Sequence, residues 1–370
     1  MSIESLVEIS HHYGTNPDYV LAGGGNTSWK DGETLYVKGS GMALADVGAD
    51  SFVKMDRKAL ARIWEQTYPE SSEERESAVL ADMMAARKAG EEQKRPSVEA
   101  LLHDLLPFAF VVHLHPALVN SLTCSQQGED AAKEIFGEDM IWIPSTNPGY
   151  ILSKLIKTEL DAYHKKHGKS AAIILLQSHG VFVGADSIDD IKVLYDEIMR
   201  KIGSRIKRQP DFSDEKRFSA GADAPIGEVI KTLAELAGVA FFMQGGEIAA
   251  LVKDRASFAP VASAFTPDHI VYAGSDPLFT EAAAGIQDAW KAHTDKTGRV
   301  PKIVAVQGLG VFSAAATEKA ACLALDLFRD TIKVAVYTES FGGPLFMTAD
   351  KIDFINNWEV ERFRASVSTK

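Results

Sequence analysis

Two periods alternate along the chain, one of strands and one of helices. Residues 108–116, Phe-Ala-Phe-Val-Val-His-Leu-His-Pro, are almost continuously apolar and partly β-branched. That run predicts a buried strand, closed by Pro116, which has no amide to give to a ladder. Residues 171–178, Ala-Ala-Ile-Ile-Leu-Leu-Gln-Ser, predict a second one, and shorter strands are expected at 35–37 and 52–55. Helical spacing takes over at 56–64, opened by Asp56 as N-cap, and again at about 74–90. It is clearest at 188–208, where Ile188, Ile191, Leu194, Tyr195, Ile198 and Ile202 share one face. Ser97, directly after Pro96, reads as the N-cap of a helix that carries Glu99.

Polar stretches with Pro and Gly at 207–216 and 219–225 read as a linker. They divide the chain into one domain over 1–210 and a second over 225–370. The second half echoes the first. Residues 172–182, Ala-Ile-Ile-Leu-Leu-Gln-Ser-His-Gly-Val-Phe, line up with 302–312, Lys-Ile-Val-Ala-Val-Gln-Gly-Leu-Gly-Val-Phe. Each run is followed by a short loop and an amphipathic helix, at 188–208 and 317–333. The pattern suggests a duplicated strand–turn–helix unit. Leu309 stands where His179 stands, so the second copy is expected to hold no metal and to serve a structural, oligomeric or substrate-gating role.

Composition narrows the class of protein. With 370 residues, 46% hydrophobic and 24% charged, the chain has an ordinary globular composition. Its net charge of −12 and the lack of a basic stripe argue against nucleic acid as a partner. The two cysteines, Cys124 and Cys322, form no disulfide framework and fit a reducing cytoplasm. No basic and apolar leader opens the chain, and no run of about 18 apolar residues could span a membrane.

The chemistry is concentrated in the first half. His113 and His115 lie two apart on the predicted strand, so both imidazoles face one side. His179 follows the second strand and precedes Gly180. Three imidazoles suit zinc or a similar divalent ion. Glu99, 14 residues before His113, can supply a fourth ligand or carry a proton. His103, one helical turn after Glu99, reads as packing behind that carboxylate rather than as a ligand. Three anion-type elements accompany these groups: Gly23-Gly24-Gly25-Asn26-Thr27-Ser28, Lys38-Gly39-Ser40-Gly41, and Ser97 at a helix start. None has the spacing of a dinucleotide fingerprint or a Walker loop. Together they suggest a phosphorylated small molecule held beside a metal.

The ordered set Gly-Gly-Asn-Thr-Ser, Lys-Gly-Ser-Gly, Pro-Ser-Val-Glu, His-Leu-His-Pro and Ser-His-Gly, spanning about residues 20–205, resembles the class II aldolase/adducin family. The resemblance implies an αβα sandwich around a mostly antiparallel sheet; the internal echo adds a second, related α/β domain without the metal site. The resemblance also implies a lyase in which His113, His115, His179 and Glu99 hold a divalent metal, usually Zn2+, with Glu99 also the acid/base. Gly25, Asn26, Ser40, Gly41 and Ser97 would hold the phosphate. Many family aldolases carry Ser-Ser-Glu where this chain has Ser97-Val98-Glu99, so one phosphate hydroxyl is missing and Lys38 would compensate. The implied reaction is cleavage of a ketose 1-phosphate to dihydroxyacetone phosphate and an aldehyde through a metal-stabilised enediolate. The alternatives are a family epimerase or decarboxylase, or a non-catalytic adducin-like module. Residues 265–271, 276–278 and 357–361 look like the aldolase portion of the bifunctional rhamnulose-1-phosphate aldolase/lactaldehyde dehydrogenase proteins. The chain stops where their dehydrogenase portion would begin, so no NAD chemistry is expected. A cytoplasmic homo-oligomer acting on a small-molecule sugar phosphate is the implied setting. Tyr150 and Tyr163 are candidate aldehyde-side proton donors.

Overall fold

The computed structural model describes residues 2–219 and 223–368. Residues 220–222, part of the stretch read as linker, lie outside the described residues. By its internal contacts the chain divides into one unit comprising Met1–Thr123 and Gln127–Arg205, and another comprising Cys124–Gln126 and Ile206–Lys370.

The first unit is built on strands β1 (Asn26–Asp31), β2 (Thr34–Lys38), β3 (Phe52–Asp56), β4 (Phe110–Leu114), β5 (Ile141–Ile143), β6 (Ile173–Leu176) and β7 (Gly180–Ala185). They form one seven-stranded sheet in the order β3-β2-β1-β4-β7-β6-β5. Every pairing is antiparallel except β5 with β6. The expected αβα sandwich is present. The central strands β4 and β6 are buried along their whole length, which is why their sequences read as unbroken apolar runs. Helix Tyr150–His167 packs Leu152, Ile156 and Leu160 with Val111, Ile174 and Phe182 in one core. Helix Ile188–Gly203 buries Ile191, Tyr195, Ile198 and Ile202, and the Tyr195 hydroxyl donates to the Val112 carbonyl of β4 at 3.0 Å.

Local chemistry sets the ends of these elements. Asp56 caps helix Arg57–Ile63, its Oδ1 accepting from the Lys58 and Ala59 amides at 2.8 and 3.2 Å. The helix expected to reach residue 90 ends at Ala85. There the chain turns back onto the edge of β3, with the Asp56 amide donating to Ala86 O and the Lys88 amide to Lys54 O. The helix expected over 188–208 ends at Gly203, a poor helix former. Beyond it, in the stretch read as linker, Lys216–Phe218 is a strand, β8.

The second unit continues from β8 with β9 (Val239–Gln244), β10 (Leu278–Thr280), β11 (Ile303–Val306) and β12 (Gly310–Ala315). Its five-stranded sheet has the order β10-β11-β12-β9-β8, parallel between β10 and β11 and antiparallel elsewhere. This is the order and sense of β5-β6-β7-β4-β1. The turns between the paired strands match as well. The Gln177 amide donates to Ile143 O and the Gln307 amide to Thr280 O, each at 2.9 Å. The middle turn residue is left-handed in both, Ser178 at φ 60° and Gly308 at φ 70°.

At the paired positions the polar groups of the first sheet are apolar in the second. His113 lies opposite Phe182 and Asn26, whereas Phe242 lies opposite Phe312 and Phe218. Leu309 occupies the turn position of His179, so the second sheet carries an aromatic core in place of a polar site. Among the described residues no helix is long and apolar enough to cross a membrane.

The second hairpin is tightly constrained. A Cβ at Gly310 would come within 2.6 Å of the Phe242 ring and 2.7 Å of the Met243 carbonyl, at φ +154°. Gly310→Ala should therefore cost about 1–3 kcal/mol of stability. Denaturant titration checks this, and a loss below about 0.5 kcal/mol would mean that β9 yields.

Candidate metal centre

The site lies where β4 ends. His113 is fully buried on that strand, its ring stacked on Phe182 with centroids 4.0 Å apart and planes 14° from parallel. Its Nδ1 is 3.0 Å from the Val181 carbonyl. Donation there turns Nε2 toward the neighbouring histidines as an acceptor. His115 follows just past the strand, with its Nε2 at 2.9 Å from that of His113. The β6–β7 turn brings His179, whose Nε2 is 3.4 Å from that of His113. One ligand nitrogen from each ring lies within 4.8 Å of the others.

Two glycines permit this convergence. A Cβ at Gly180 would sit 2.4 Å from the Leu114 carbonyl and 2.7 Å from the His115 ring. At Gly25, φ is +61° and a Cβ would meet the His113 carbonyl at 2.8 Å.

Glu99 completes the cluster, though not from within a helix. The helix begins after it, at Ala100, and has only six residues to Leu105. Glu99 holds the N-cap position, with φ −88° and ψ 10°. Ser97 therefore caps no helix that carries Glu99; its hydroxyl oxygen accepts from the Glu99 amide at 3.2 Å. Pairing with β2 explains the departure: Gly39 bridges to Pro96, the Ser97 amide donates to Lys38 O, and the Ser40 amide donates to Arg95 O. Residues 95–97 are held as extended backbone, which leaves the helix to start late.

Glu99 is 6% exposed. Its Oε2 accepts from Asn26 Nδ2 at 2.6 Å. Its Oε1 has no hydrogen-bond partner and lies 3.4 Å from His113 Nε2 and 3.6 Å from His179 Nε2. Three clustered imidazole nitrogens, two of them close to a buried carboxylate oxygen without a hydrogen bond, make a donor set that a borderline divalent ion takes. The residues present fit such an ion.

The expected anion elements also meet here. The Lys38 ammonium donates to Gly23 O at 3.4 Å and to Met42 O, which ties the glycine-rich turn to the Lys38–Gly41 turn. Ser97 joins them through Lys38 O, and Gly41 adopts φ +84°. Residues 26–28, expected within the glycine-rich turn, are instead the start of β1. Strand alternation sends Asn26 and Ser28 toward Glu99, while Thr27 faces away and bonds Ser10 at 2.7 Å. The Tyr163 hydroxyl donates to Glu138 O at 3.0 Å, and the Tyr150 ring stacks on Trp64.

His103 is the site residue that the sequence understates. It is fully buried, with Nδ1 2.7 Å from Ser28 Oγ and Nε2 hydrogen-bonded to Asn26 Oδ1. Burial first, then the nearby His113 and lysines, holds its pKa well below the ordinary histidine value. Its signal is the spacing of Glu99 and His103 together with the two-residue spacing of Asn26 and Ser28.

The family model for the class II aldolase and adducin N-terminal domain matches residues 4–201. The chain belongs to that family. Over the first unit it is similar to the N-terminal class II aldolase domain of a conserved protein from Thermoplasma acidophilum. The two are 26% identical, with 55% of this chain and 93% of that one covered and a TM-score of 0.46. It is also similar to an L-fuculose-1-phosphate aldolase from Thermus thermophilus, at 11% identity, with 54% and 91% covered and a TM-score of 0.34. An uncharacterized oxidoreductase of Bacillus subtilis, YuxG, is 22% identical across 99% of this chain, which spans 58% of that relative's length. Family proteins of aldolase type work with a divalent metal, and the histidine cluster is one that could hold it.

The buried His103 makes stability pH-dependent. Unfolded, the ring takes a proton near pH 6.5; folded, only at lower pH. Below about 6.5 the unfolded chain binds the extra proton, so stability falls as pH falls, by up to about 1.4 kcal/mol per pH unit. His103→Gln should flatten the stability curve between about pH 6.5 and 5 relative to the parent. Parallel curves from denaturant titrations would mean that the folded ring is protonated.

Proposed function

We propose that the chain is a metal-dependent aldolase that cleaves a ketose 1-phosphate, of the rhamnulose 1-phosphate kind, to dihydroxyacetone phosphate and an aldehyde. The observation that carries this reading is the meeting of His113, His115 and His179 with the unpartnered Glu99 Oε1 in a family of class II aldolases. The three histidines would hold the ion, with Glu99 approaching it only when substrate is absent, and Zn2+ suits such nitrogen and carboxylate donors. The bound ion supplies Lewis acidity toward the ketose carbonyl and its neighbouring hydroxyl.

The rest falls to the chain's own groups. Glu99 moves the proton at the nucleophilic carbon: it delivers one to that carbon after the carbon–carbon bond breaks and removes one in the reverse direction. Asn26 holds Oε2, so the proton is handled at Oε1. Lys38, Ser40, Gly41, Ser97 and the Gly25 turn face the anionic end of the substrate, with Lys38 standing in for the hydroxyl that Val98 lacks. Asn26 is shared between this role and Glu99. Burial of the site keeps the carboxylate from competing water. The reading carries with it a homo-oligomer in the cytoplasm, without nucleic-acid or membrane partners. An epimerase or decarboxylase would use the same groups and differ in product: an isomer or carbon dioxide instead of two fragments.

The deciding assay is release of dihydroxyacetone phosphate from rhamnulose and fuculose 1-phosphates with and without a chelator. Chelator-sensitive release is expected, and its absence from fully metallated protein would overturn the reading. His113→Ala and His179→Ala should reduce cleavage to background and lower bound metal by elemental analysis. Glu99→Gln should fold and keep its metal but lose at least about 100-fold in kcat. Near-normal turnover would remove Glu99 from proton transfer.

A further inference from the structure

Three side chains stand in line behind Glu99, and their hydrogen-bond directions are fixed by elimination. A carboxylate oxygen can only accept, so the Asn26 atom at 2.6 Å from Glu99 Oε2 is the amide nitrogen. The Asn26 oxygen then faces His103 Nε2 and requires a donor there. A neutral imidazole has one N–H, so it sits on Nε2, and Nδ1 accepts from the Ser28 hydroxyl at 2.7 Å. The donors run one way: Ser28 to His103, His103 to Asn26, Asn26 to Glu99. Turning the Asn26 amide over would set its carbonyl against the carboxylate. Ser28 and His103 are fully buried, and the His103 and Phe182 rings meet edge-on with centroids 5.5 Å apart, so the line has little freedom to rearrange.

We propose that His103 is a positioning residue: its Nε2–H tautomer orients Asn26, which fixes Glu99 Oε2 and so directs Oε1 at His113 and His179. This rests on the function proposed above only for its effect on rate; the placement of Glu99 is a property of the folded chain. Removing the Nε2 donor frees the Asn26 amide to turn and Glu99 to choose other rotamers. A Gln at 103 restores an amide donor at a similar reach.

Nitrogen-detected imidazole spectra of the metal-free protein should show His103 as the Nε2–H tautomer; the Nδ1–H tautomer would overturn the proposal. With Co2+ in place of the native ion, His103→Phe should change the visible d–d bands while His103→Gln keeps those of the parent. Identical spectra in all three would show that Glu99 does not depend on residue 103. In turnover, His103→Phe should keep one metal per chain and a KM within about threefold while kcat falls about 10–100-fold, and His103→Gln should recover most of it. A kcat within about twofold in His103→Phe overturns the rate effect. If the parent itself cleaves no sugar phosphate, the functional reading fails, while the tautomer and the Co2+ spectra still decide the placement. If His103→Phe does not fold, the tautomer of the parent decides it alone.

Discussion

β4 is clamped between β1 and β7, and its register governs everything at the site. In that register His113 lies opposite Asn26 on one side and Phe182 on the other. Because strand side chains alternate, a slip of one residue would send His113 to the opposite face and replace it with Val112 or Leu114. The register is protected from both neighbours. Gly180 and Gly25 allow backbone approaches that no other residue could make, and the Tyr195 hydroxyl pins the Val112 carbonyl from the covering helix. Fully buried strands thus aim the polar side chains of the site.

Such a site works against the stability of its own surroundings. Four imidazoles, a carboxylate and an ammonium meet in a region that would otherwise be core. The second sheet shows what the same topology looks like without that demand: phenylalanines at the paired positions and glycine in the left-handed turn. In the first sheet that turn position is Ser178 at φ 60°, immediately before His179, and Ala22 at φ 51° precedes the glycine-rich turn. Non-glycine residues in left-handed backbone cost of order 1–3 kcal/mol each, and here both flank the histidine–carboxylate cluster. A hydrogen-bonded line behind Glu99 offsets part of the burden, because each of its polar atoms has a partner.

The site is more legible in the sequence than the fold that holds it. His113 and His115 can be placed on one face because strand alternation is a local rule, and Pro116 marks where the strand must end. The echo between residues 172–182 and 302–312 gives away the repeated hairpin before any coordinates. What escapes depends on partners far along the chain. Nothing near Glu99 says that β2 will hold residues 95–97 extended and delay the helix. Nothing in Asn26-Thr27-Ser28 says that a glycine-rich turn gives way there to a strand whose partner is β4. β8 reads as linker because its Lys216-Arg217-Phe218 is short and charged, which is also how an edge strand discourages other chains from adding to it.

The long spacing of the cluster has a kinetic meaning. Asn26 and Glu99 are 73 residues apart, and His113 and His179 are 66. Only His113 and His115 are neighbours in the chain. On the proposed reading, a growing polypeptide exposes Glu99 and a two-nitrogen fragment well before His179 exists, and loop closure over such distances is slow. Metal capture is then coupled to completion of the sheet. A half-made chain, whose loose ligands would favour copper or nickel by affinity alone, offers those ions little. The choice of ion passes from the flexible chain to a finished cavity of fixed shape.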